Sequence, residues 1–400
     1  FGYQKIAGIT DRIGTDGPWE VKRVLGTVPV HEDGSAWFRV PAKTPISVQP
    51  LDAEGKAVQL MRSWMTAMPG ETVACVGCHQ QEQSTAPPNR PALALSHPAA
   101  EIRPWYGPTR GFSFRREVQP VLDRYCVGCH DGSQAEEPIP DLRGEQGFLV
   151  VYKHGQPEPI KTTAPRKKLL GKYRGIFDPS YIELRRLVRV GGLESDLHLL
   201  SPMEFHADTS ELVQMMLKGH HNVQLDDEAW DRLITWIDLN APFQGTWSEF
   251  TPIRGDQRSR RLALRKLYGG VDEDGEVIPK IARQPIEPII PEPLPAEEVG
   301  PVTIPNMPLA TSDARQMQTA TPPAKRTLDL GDGVSIEMVK IPAGHFLMGD
   351  AAGEVDERPQ SPVTINEPFW MSKHEITNRQ YKQFNPDHDS RFEHRTSWIF

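Results

Sequence analysis

The sequence is poor in three features that would each point to a particular function. It has no long run of Lys or Arg, no stretch approaching 18 consecutive apolar residues, and only four cysteines in 400 residues. With a net charge of -8, the missing basic run argues against nucleic acid or an acidic membrane as the main partner. The missing apolar stretch predicts no transmembrane segment in this chain. All four cysteines lie in two short motifs, so none is left for a disulfide or a catalytic thiol.

What is present is the composition of several globular domains. The chain is 38% hydrophobic and 24% charged, and 400 residues suggest two to four domains rather than one core. It begins at Phe1 without the charged and apolar regions of a signal peptide, and its pattern is still unfinished at Phe400. We therefore expect a fragment of a longer protein, in which a missing leader says nothing about location.

The four cysteines form two copies of one motif, Cys-x-x-Cys-His. The first copy holds Cys75, Cys78 and His79, and the second holds Cys126, Cys129 and His130. Two thiols three residues apart lie on one side of a short helical turn, where they can reach two vinyl groups of one porphyrin. The following His then points at the iron and becomes its axial ligand. The sequence therefore predicts two covalently attached c-type haems.

Two other interpretations of these cysteines are open. The four thiols could form a single Cys₄ zinc site, but such a site has no use for a His directly after each pair. A thioredoxin-like redox pair would need a βαβ context, which the sequence lacks. Haem is therefore the preferred interpretation.

The sixth ligand decides what each haem does. A second protein ligand gives a closed haem suited to electron transfer, whereas an open position permits binding and chemistry. The histidines downstream of the second motif are His154, His198, His206, His220 and His221. We favour His220, which follows a predicted helix end, with His221 and His206 as alternatives. For the first haem the nearest downstream histidine is His97, which we interpret as a surface residue.

The fold class we expect is multidomain and mixed, and it opens with a small β-sandwich over residues 1–70. Short apolar runs at 28–30, 36–40 and 46–51 are separated by turn residues. Residues 71–111 form the first haem segment, and several prolines within residues 84–111 predict mostly irregular backbone there.

Residues 112–250 are expected to be a mainly α cytochrome domain for the second haem. A short helix from about Arg115 to Tyr125 delivers the motif. A second helix, capped at Thr209 or Ser210, should end at the glycine before His220. A third helix is capped by Asp226. Its apolar residues, at the spacing i, i+3, i+4, i+7, are Trp230, Leu233, Ile234 and Ile237.

Residues 251–325 are expected to be a Pro-rich linker. Ten prolines fall within residues 285–323, a composition that favours extended, solvated backbone and builds no core. Strand-like patterning returns from Ile336, and we expect a truncated α+β domain over residues 326–400.

Several short sequences around the motifs carry a family resemblance. They are 28–36 (VPVHEDGSA), 49–52 (QPLD), 61–63 (MRS), 69–71 (PGE), 118–123 (VQPVLD), 219–221 (GHH) and 235–242 (TWIDLNAP). With these, the chain from about residue 20 to 250 resembles the hydrazine synthase alpha subunit, in its middle domain and its C-terminal haem domain.

This resemblance implies different roles for the two haems. The second would be a bis-histidine electron-transfer centre, with His130 and His220 as ligands. The first would be the catalytic haem, where the motif His binds zinc and a Tyr four residues later binds the iron. This sequence has Gln83 at that position, and the next Tyr is Tyr106. We therefore expect His79 to be an ordinary axial ligand here. The family also places a β-propeller upstream of the middle domain.

A second resemblance lies near the C-terminus, at 338–349 (MVKIPAGHFLMG) and 369–381 (FWMSKHEITNRQY). These residues resemble the start of a formylglycine-generating (sulfatase-modifying factor) domain and cover about its first quarter. In that family the catalytic cysteines and metal-binding residues come later. We interpret His345 and His374 as structural.

Three functions follow from these expectations. The favoured one is a dihaem c-type cytochrome module, with two haem c groups as cofactors, that passes electrons to a redox partner protein or domain. The second is a haem enzyme whose open first haem acts on a small nitrogenous substrate. The third is an electron supply for an activity of the C-terminal domain. Because c-type haem is attached outside the cytoplasm, we expect a periplasmic or extracytoplasmic location.

Overall fold

The chain divides into two compact units. The first unit is residues 1–217 with 223–291 and 398–400, and the second unit is residues 218–222 with 292–397. The computed structural model describes residues 13–15, 20–61, 63–75, 91–133, 139–144, 148–153, 156–161 (backbone alone in these last two ranges), 176–191, 200–280, 285–292, 312, 324–350, 357 and 360–386. Within these residues no helix is long and apolar enough to cross a bilayer.

Residues 20–75 of the first unit form turns and isolated backbone pairs where the sequence predicted a β-sandwich. The predicted turns are present, and Gly34 in one of them has φ 79°. Three of the isolated bridges join this region to residues 100–111, as Thr27 does with Arg103. Prolines in and beside the apolar runs remove donors that a strand ladder needs. The described part of this region therefore contains no regular strand.

The helix predicted before the second motif is confirmed, with one irregularity. A single π-helical turn, Phe114–Val118, leads into α1, Gln119–Tyr125. Pro120 has no N–H to donate to the preceding turn, which accounts for the wider turn there. The buried residues of this segment include Phe114, Val118, Val121, Leu122 and Tyr125.

The next elements lie in residues 140–190, where the sequence pattern is mixed and predicts no particular element. β1, Phe148–Lys153, pairs antiparallel with β2, Gln156–Lys161, and with β3, Ile176–Phe177. The strand order is β2-β1-β3, with Val150 opposite Phe177. α2, Pro179–Arg186, begins directly after β3, and Pro179 occupies its first turn, where its missing N–H costs no intrahelical bond.

α3, Glu211–Leu217, confirms the helix predicted after residue 209. The predicted cap side chains bond elsewhere: Thr209 Oγ1 donates to His206 O at 2.7 Å, and Ser210 Oγ accepts from Arg189 N at 3.1 Å. The helix ends two residues before Gly219, which has φ 91°.

α4, Asp227–Asp238, is capped as predicted, because Asp226 Oδ1 accepts a hydrogen bond from Ala229 N at 2.8 Å. Three residues of the predicted stripe are buried and Trp230 is half-buried. The helix is followed by Asn240 in left-handed backbone, with φ 71°.

Five aromatic side chains form the centre of the first unit's core. They are Phe114, Phe177, Tyr181, Trp236 and Phe243, each fully buried. Their ring centres lie 4.9 to 6.1 Å apart in neighbouring pairs, a spacing typical of stabilising aromatic contacts. Tyr181 on α2 also donates its hydroxyl to Ala241 O at 2.9 Å. These contacts pack α2 and α4 around the segment that leads into α1.

The stretch expected as a linker over residues 251–325 begins with ordered structure. α5, Trp247–Phe250, precedes it, and it contains α6, Gln257–Leu264, and a π-helical turn, Arg265–Gly269. Arg258 Nε donates to Asp274 Oδ2 at 2.7 Å, and Lys266 Nζ pairs with Asp272 Oδ2 at 2.6 Å. Opposite charges thus hold the helix against the acidic turn that follows it. Most of residues 293–323 lie outside the described part of the chain.

The described residues 324–386 of the second unit form small antiparallel sheets followed by a helix. Its strands are β4, Lys325–Gly331; β5, Val334–Ile341; β6, Gly344–Met348; β7, Ser361–Ile365; and β8, Phe369–Ser372. β4, β5 and β8 form one sheet in that order, and β6 pairs with β7. α7, Asn378–Phe384, begins with a capping box between Thr377 and Gln380. The predicted strand pattern and the mixed fold class are confirmed here.

A turn of the N-terminal region docks on the end of α4. Asp238, the last residue of α4, is 5% exposed, and its Oδ2 accepts from Ala57 N at 2.9 Å. Its main-chain oxygen accepts from Gln49 Nε2 at 2.8 Å. Burial, together with the nearby carboxylates of Asp52 and Asp231, raises the pKa of Asp238 to about 7.

We expect Asp238→Asn to stabilise the chain at pH 8 and to leave it unchanged near pH 4. In the unfolded chain Asp238 loses its proton near pH 3.9, whereas in the folded chain it keeps the proton to about pH 7. Folding stability therefore falls as the pH rises through this window, by roughly 4 kcal/mol at most. Urea midpoints at pH 4 and pH 8 measure the difference. Asp272→Asn, at an exposed position, is the matched control, and an equal response of both variants would contradict the assignment.

Candidate functional site

α1 leads directly into the second motif and fixes the turn that carries it. Cys126 N and Val127 N both donate to Leu122 O at 2.9 Å, which continues the helix. Cys129 N at 3.1 Å and His130 N at 2.9 Å then donate to Cys126 O. The motif is therefore one tight turn, the arrangement that two thiols need to serve one porphyrin.

The two thiols of this turn differ in their surroundings. Cys129 is exposed, whereas Cys126 is half-buried and packs against the core of the first unit. Burial raises the pKa of Cys126 to about 12, and Cys129 and Asp123 add to the shift.

His130 is oriented by the chain segment that follows the motif. Its Nδ1 lies 2.9 Å from Pro140 O, and its main-chain oxygen accepts from Leu142 N at 3.0 Å. A carbonyl oxygen only accepts, so Nδ1 carries the hydrogen and the ring's lone pair lies on Nε2. Metal-binding histidines are commonly oriented in this way, with the second ring nitrogen bonded to a carbonyl. His130 therefore fits the role of an axial iron ligand.

One hydrogen bond connects the end of α1 to the start of α4. The hydroxyl of Tyr125, which directly precedes Cys126, donates to Asp226 Oδ2 at 2.7 Å. This bond lowers the pKa of Asp226, and burial raises the pKa of Tyr125. The cap of α4 thus also holds the residue beside the first thiol of the motif.

A Pro-rich segment, residues 285–291, lies against the motif turn. Ile289 N donates to Arg124 O at 2.7 Å. A Cβ added to Gly128 would stand 3.0 Å from Ile289 O and 3.1 Å from Ile290 Cγ1. Glycine inside the motif therefore allows the close approach of this segment. The composition of the segment predicted solvated backbone and gave no sign of this contact.

The first motif is described only at its first residue. Cys75 is exposed. Residues 76–90 lie outside the described part of the chain, and with them Cys78, His79 and Gln83. The predictions for the first haem therefore stay predictions.

The candidate sixth ligands differ in what surrounds them. His206 is buried, with Nε2 2.9 Å from Asp52 Oδ2, and Nδ1 accepts from Asp208 N at 3.3 Å. An iron would have to displace one of these partners. His154 and His198 lie outside the described residues.

His220 and His221 lie in the second unit, in the single turn His220–Asn222. Their ring centres are 4.6 Å apart in an edge-to-face arrangement. His221 has φ 43°, and the Asn222 side chain donates to Glu292 O at 2.9 Å. The turn after a helix end, on which the choice of His220 rests, is thus present.

His345 and His374, the two histidines predicted to be structural, are exposed. In the second unit His345 Nδ1 lies 2.9 Å from Thr364 Oγ1, a contact between β6 and β7. Across the described parts of both units, no group of three or more His, Cys, Asp or Glu side chains could hold a metal ion.

Comparisons with known proteins find two partial matches. Residues 3–80 match the family model of the hydrazine synthase alpha subunit middle domain. Residues 332–398 match the model of the sulfatase-modifying factor enzyme 1-like domain. No curated protein and no solved structure was found to match the chain. Both resemblances are confirmed for these residues, while the resemblance expected between residues 81 and 250 rests on its motifs.

Proposed function

We propose that the chain is a dihaem c-type cytochrome module that transfers electrons within a larger redox protein. The first haem is held by Cys75, Cys78 and His79, and the second by Cys126, Cys129 and His130. Each bound haem supplies an iron that changes oxidation state by one electron. The chain's own residues attach the porphyrin and orient the axial imidazole.

The observation that carries this proposal is the contact of His130 with Pro140. The carbonyl at 2.9 Å holds the imidazole in one orientation and one tautomer. A surface histidine with no ligand role needs no such support. The half-buried Cys126 places the attachment turn next to the core, and Tyr125 ties that turn to the cap of α4.

For the second haem we propose His220 as the sixth ligand, with His221 and then His206 as alternatives. His206 comes last because both of its ring nitrogens already have partners. A bis-histidine iron is closed to small ligands and suits electron transfer. For the first haem we propose His79 as an ordinary axial ligand, since Gln83 is a poor iron ligand.

A haem enzyme is the second candidate function, and the match of residues 3–80 favours it. In this case the first haem keeps an open face for a small nitrogenous substrate. A third candidate follows from the match of residues 332–398, with the haems as an electron supply for that domain. Either way, c-type haem attachment implies an extracytoplasmic location and a redox partner protein or domain.

Optical and EPR spectra of the purified, haem-loaded chain separate these functions. Pure electron transfer predicts two low-spin ferric EPR signals that cyanide leaves unchanged, and an optical spectrum of the reduced chain that carbon monoxide leaves unchanged. A high-spin ferric signal that shifts on addition of cyanide, or a reduced spectrum that shifts on addition of carbon monoxide, would favour the enzyme function instead. A chain with no Soret band that contains zinc by metal analysis would overturn the haem assignment for both.

A further inference from the structure

Two turns in the first unit, His31–Ser35 and Leu93–Ser96, are joined by hydrogen bonds that involve Asp33. The first is the turn His31–Ser35, in which His31 N donates to Ser35 O at 2.9 Å and Gly34 N donates to His31 O at 2.8 Å. Asp33, inside this turn, accepts from Leu93 N at 2.7 Å. Leu93 begins the second turn, Leu93–Ser96, which directly precedes His97.

A second hydrogen bond holds the same two turns together. Ser35 Oγ donates to Asp33 Oδ1 at 2.5 Å and accepts from Ala94 N at 3.0 Å. The hydrogen bond from Ser35, followed by that from Leu93, lowers the pKa of Asp33 to about 2. Asp33 is therefore ionised at neutral pH, and each turn is held at two positions.

These hydrogen bonds between the turns bring two imidazole rings face to face. The ring centres of His31 and His97 lie 4.9 Å apart, and the ring planes differ by 14°. With metal–nitrogen bonds of about 2.0–2.1 Å, two imidazoles bound side by side to one ion have ring centres roughly 4.5–5.2 Å apart. The observed separation lies in that interval. The terminal side-chain torsion of His is broad, so a rotation within each ring's reach turns one nitrogen toward a shared ion.

We propose that His31 and His97 form a two-imidazole site for a divalent transition metal ion of the class that prefers nitrogen ligands, such as Zn²⁺. Imidazole is a preferred ligand of these ions. His97 is exposed and His31 is half-exposed, so water completes the coordination. Asp33 is a positioning residue that sets the ring separation. The site is independent of the haem motifs and of the proposed electron transfer.

Zinc titration calorimetry on the full, haem-loaded chain tests the site. We expect one zinc equivalent that is lost, or weakened about tenfold or more, in His31→Asn and in His97→Asn. Asp33→Asn keeps both imidazoles but releases the turns, so it should weaken zinc several-fold with a smaller effect than either histidine. Far-UV circular dichroism and the thermal midpoint verify that each variant is folded.

His345→Asn is the matched control, because His345 is also an exposed histidine that makes one side-chain contact. Zinc taken up by free thiols would persist in all of these variants, which separates it from zinc at the histidine pair. Wild-type zinc affinity in both His31→Asn and His97→Asn would overturn the proposal. So would an equal loss in the His345→Asn control.

Discussion

Replacing Cys126 and Cys129 together by alanine should lower the covalently bound haem from two groups to one. The two thiols lie on one turn and, in the proposed assignment, attach one porphyrin, so the expected loss is confined to the second motif. Cys75→Ala with Cys78→Ala should likewise leave one haem, and the chain with all four cysteines replaced should carry none. Intact-mass spectrometry of the purified chains measures the number directly.

The two paired variants also decide between haem and zinc. A Cys₄ site uses all four thiols, so the loss of either pair would abolish metal binding altogether. If the motifs are two independent haem sites, the loss of one cysteine pair removes only the haem of that motif. A double variant that keeps two covalent haems would contradict the assignment of its motif. Ser133→Ala, at a polar side chain just after the second motif, serves as the neutral control.

His130→Ala refines the same experiment. The thiols remain, so the porphyrin can still attach, but the imidazole held by Pro140 is gone. The spectrum of the second haem should therefore change from low-spin to high-spin while the mass stays that of two haems. The separation of attachment from ligation follows from the chemistry of the motif, in which cysteines bind the porphyrin and histidine binds the iron.

The sequence predicted those parts of the site that depend on local pattern. α1, α3 and α4 follow from apolar spacing, and the cap of α4 follows from Asp226. Contacts between distant residues could not be predicted in this way. The bond from His130 to Pro140 depends on how the chain returns after the motif. The contact of Gly128 with Ile289 joins residues more than 150 positions apart.

The N-terminal region also shows that local turns can be predicted from a single sequence, whereas the pairing of distant segments cannot. Its turns were predicted, because Gly tolerates the backbone angles of a turn and Asp accepts hydrogen bonds from nearby backbone N–H groups. Its apolar runs were interpreted as strands of a sandwich, but three isolated bridges of this region, from Arg23, Thr27 and Phe38, reach residues 100–111 instead. A single sequence does not give the pairing partner of a short apolar run, and prolines beside the runs keep the pairing from extending.

Replacing Glu117 by glutamine should destabilise the chain by about 3–5 kcal/mol. Its side chain is 1% exposed and accepts from Arg110 Nε and an Arg110 terminal nitrogen, both at 2.7 Å. Arg232 from α4 pairs with the same carboxylate. The amide removes the one negative charge that two largely buried guanidinium groups share. Urea unfolding followed by circular dichroism measures the loss.

Glu101→Gln provides the matched comparison. Glu101 pairs with Arg39 at 2.7 Å, but the side chains are 72% and 73% exposed. An exposed pair contributes about 0–1 kcal/mol, because water and salt screen it. Equal shifts of the urea midpoint in the two variants would show that Glu117 is not the buried counter-charge that its contacts indicate.

The effect of Glu117→Gln should also reach the second haem. Glu117 lies two residues before α1, and Arg232 lies on α4, so their ion pair holds together the two helices that Tyr125 and Asp226 connect beside the motif. Loss of the pair should loosen the turn that presents Cys126 and lower the yield of chain carrying two haems. The Glu101→Gln chain should keep the wild-type yield. A Glu117→Gln chain that is destabilised but fully loaded would mean that haem attachment does not depend on the packing of α1 against α4.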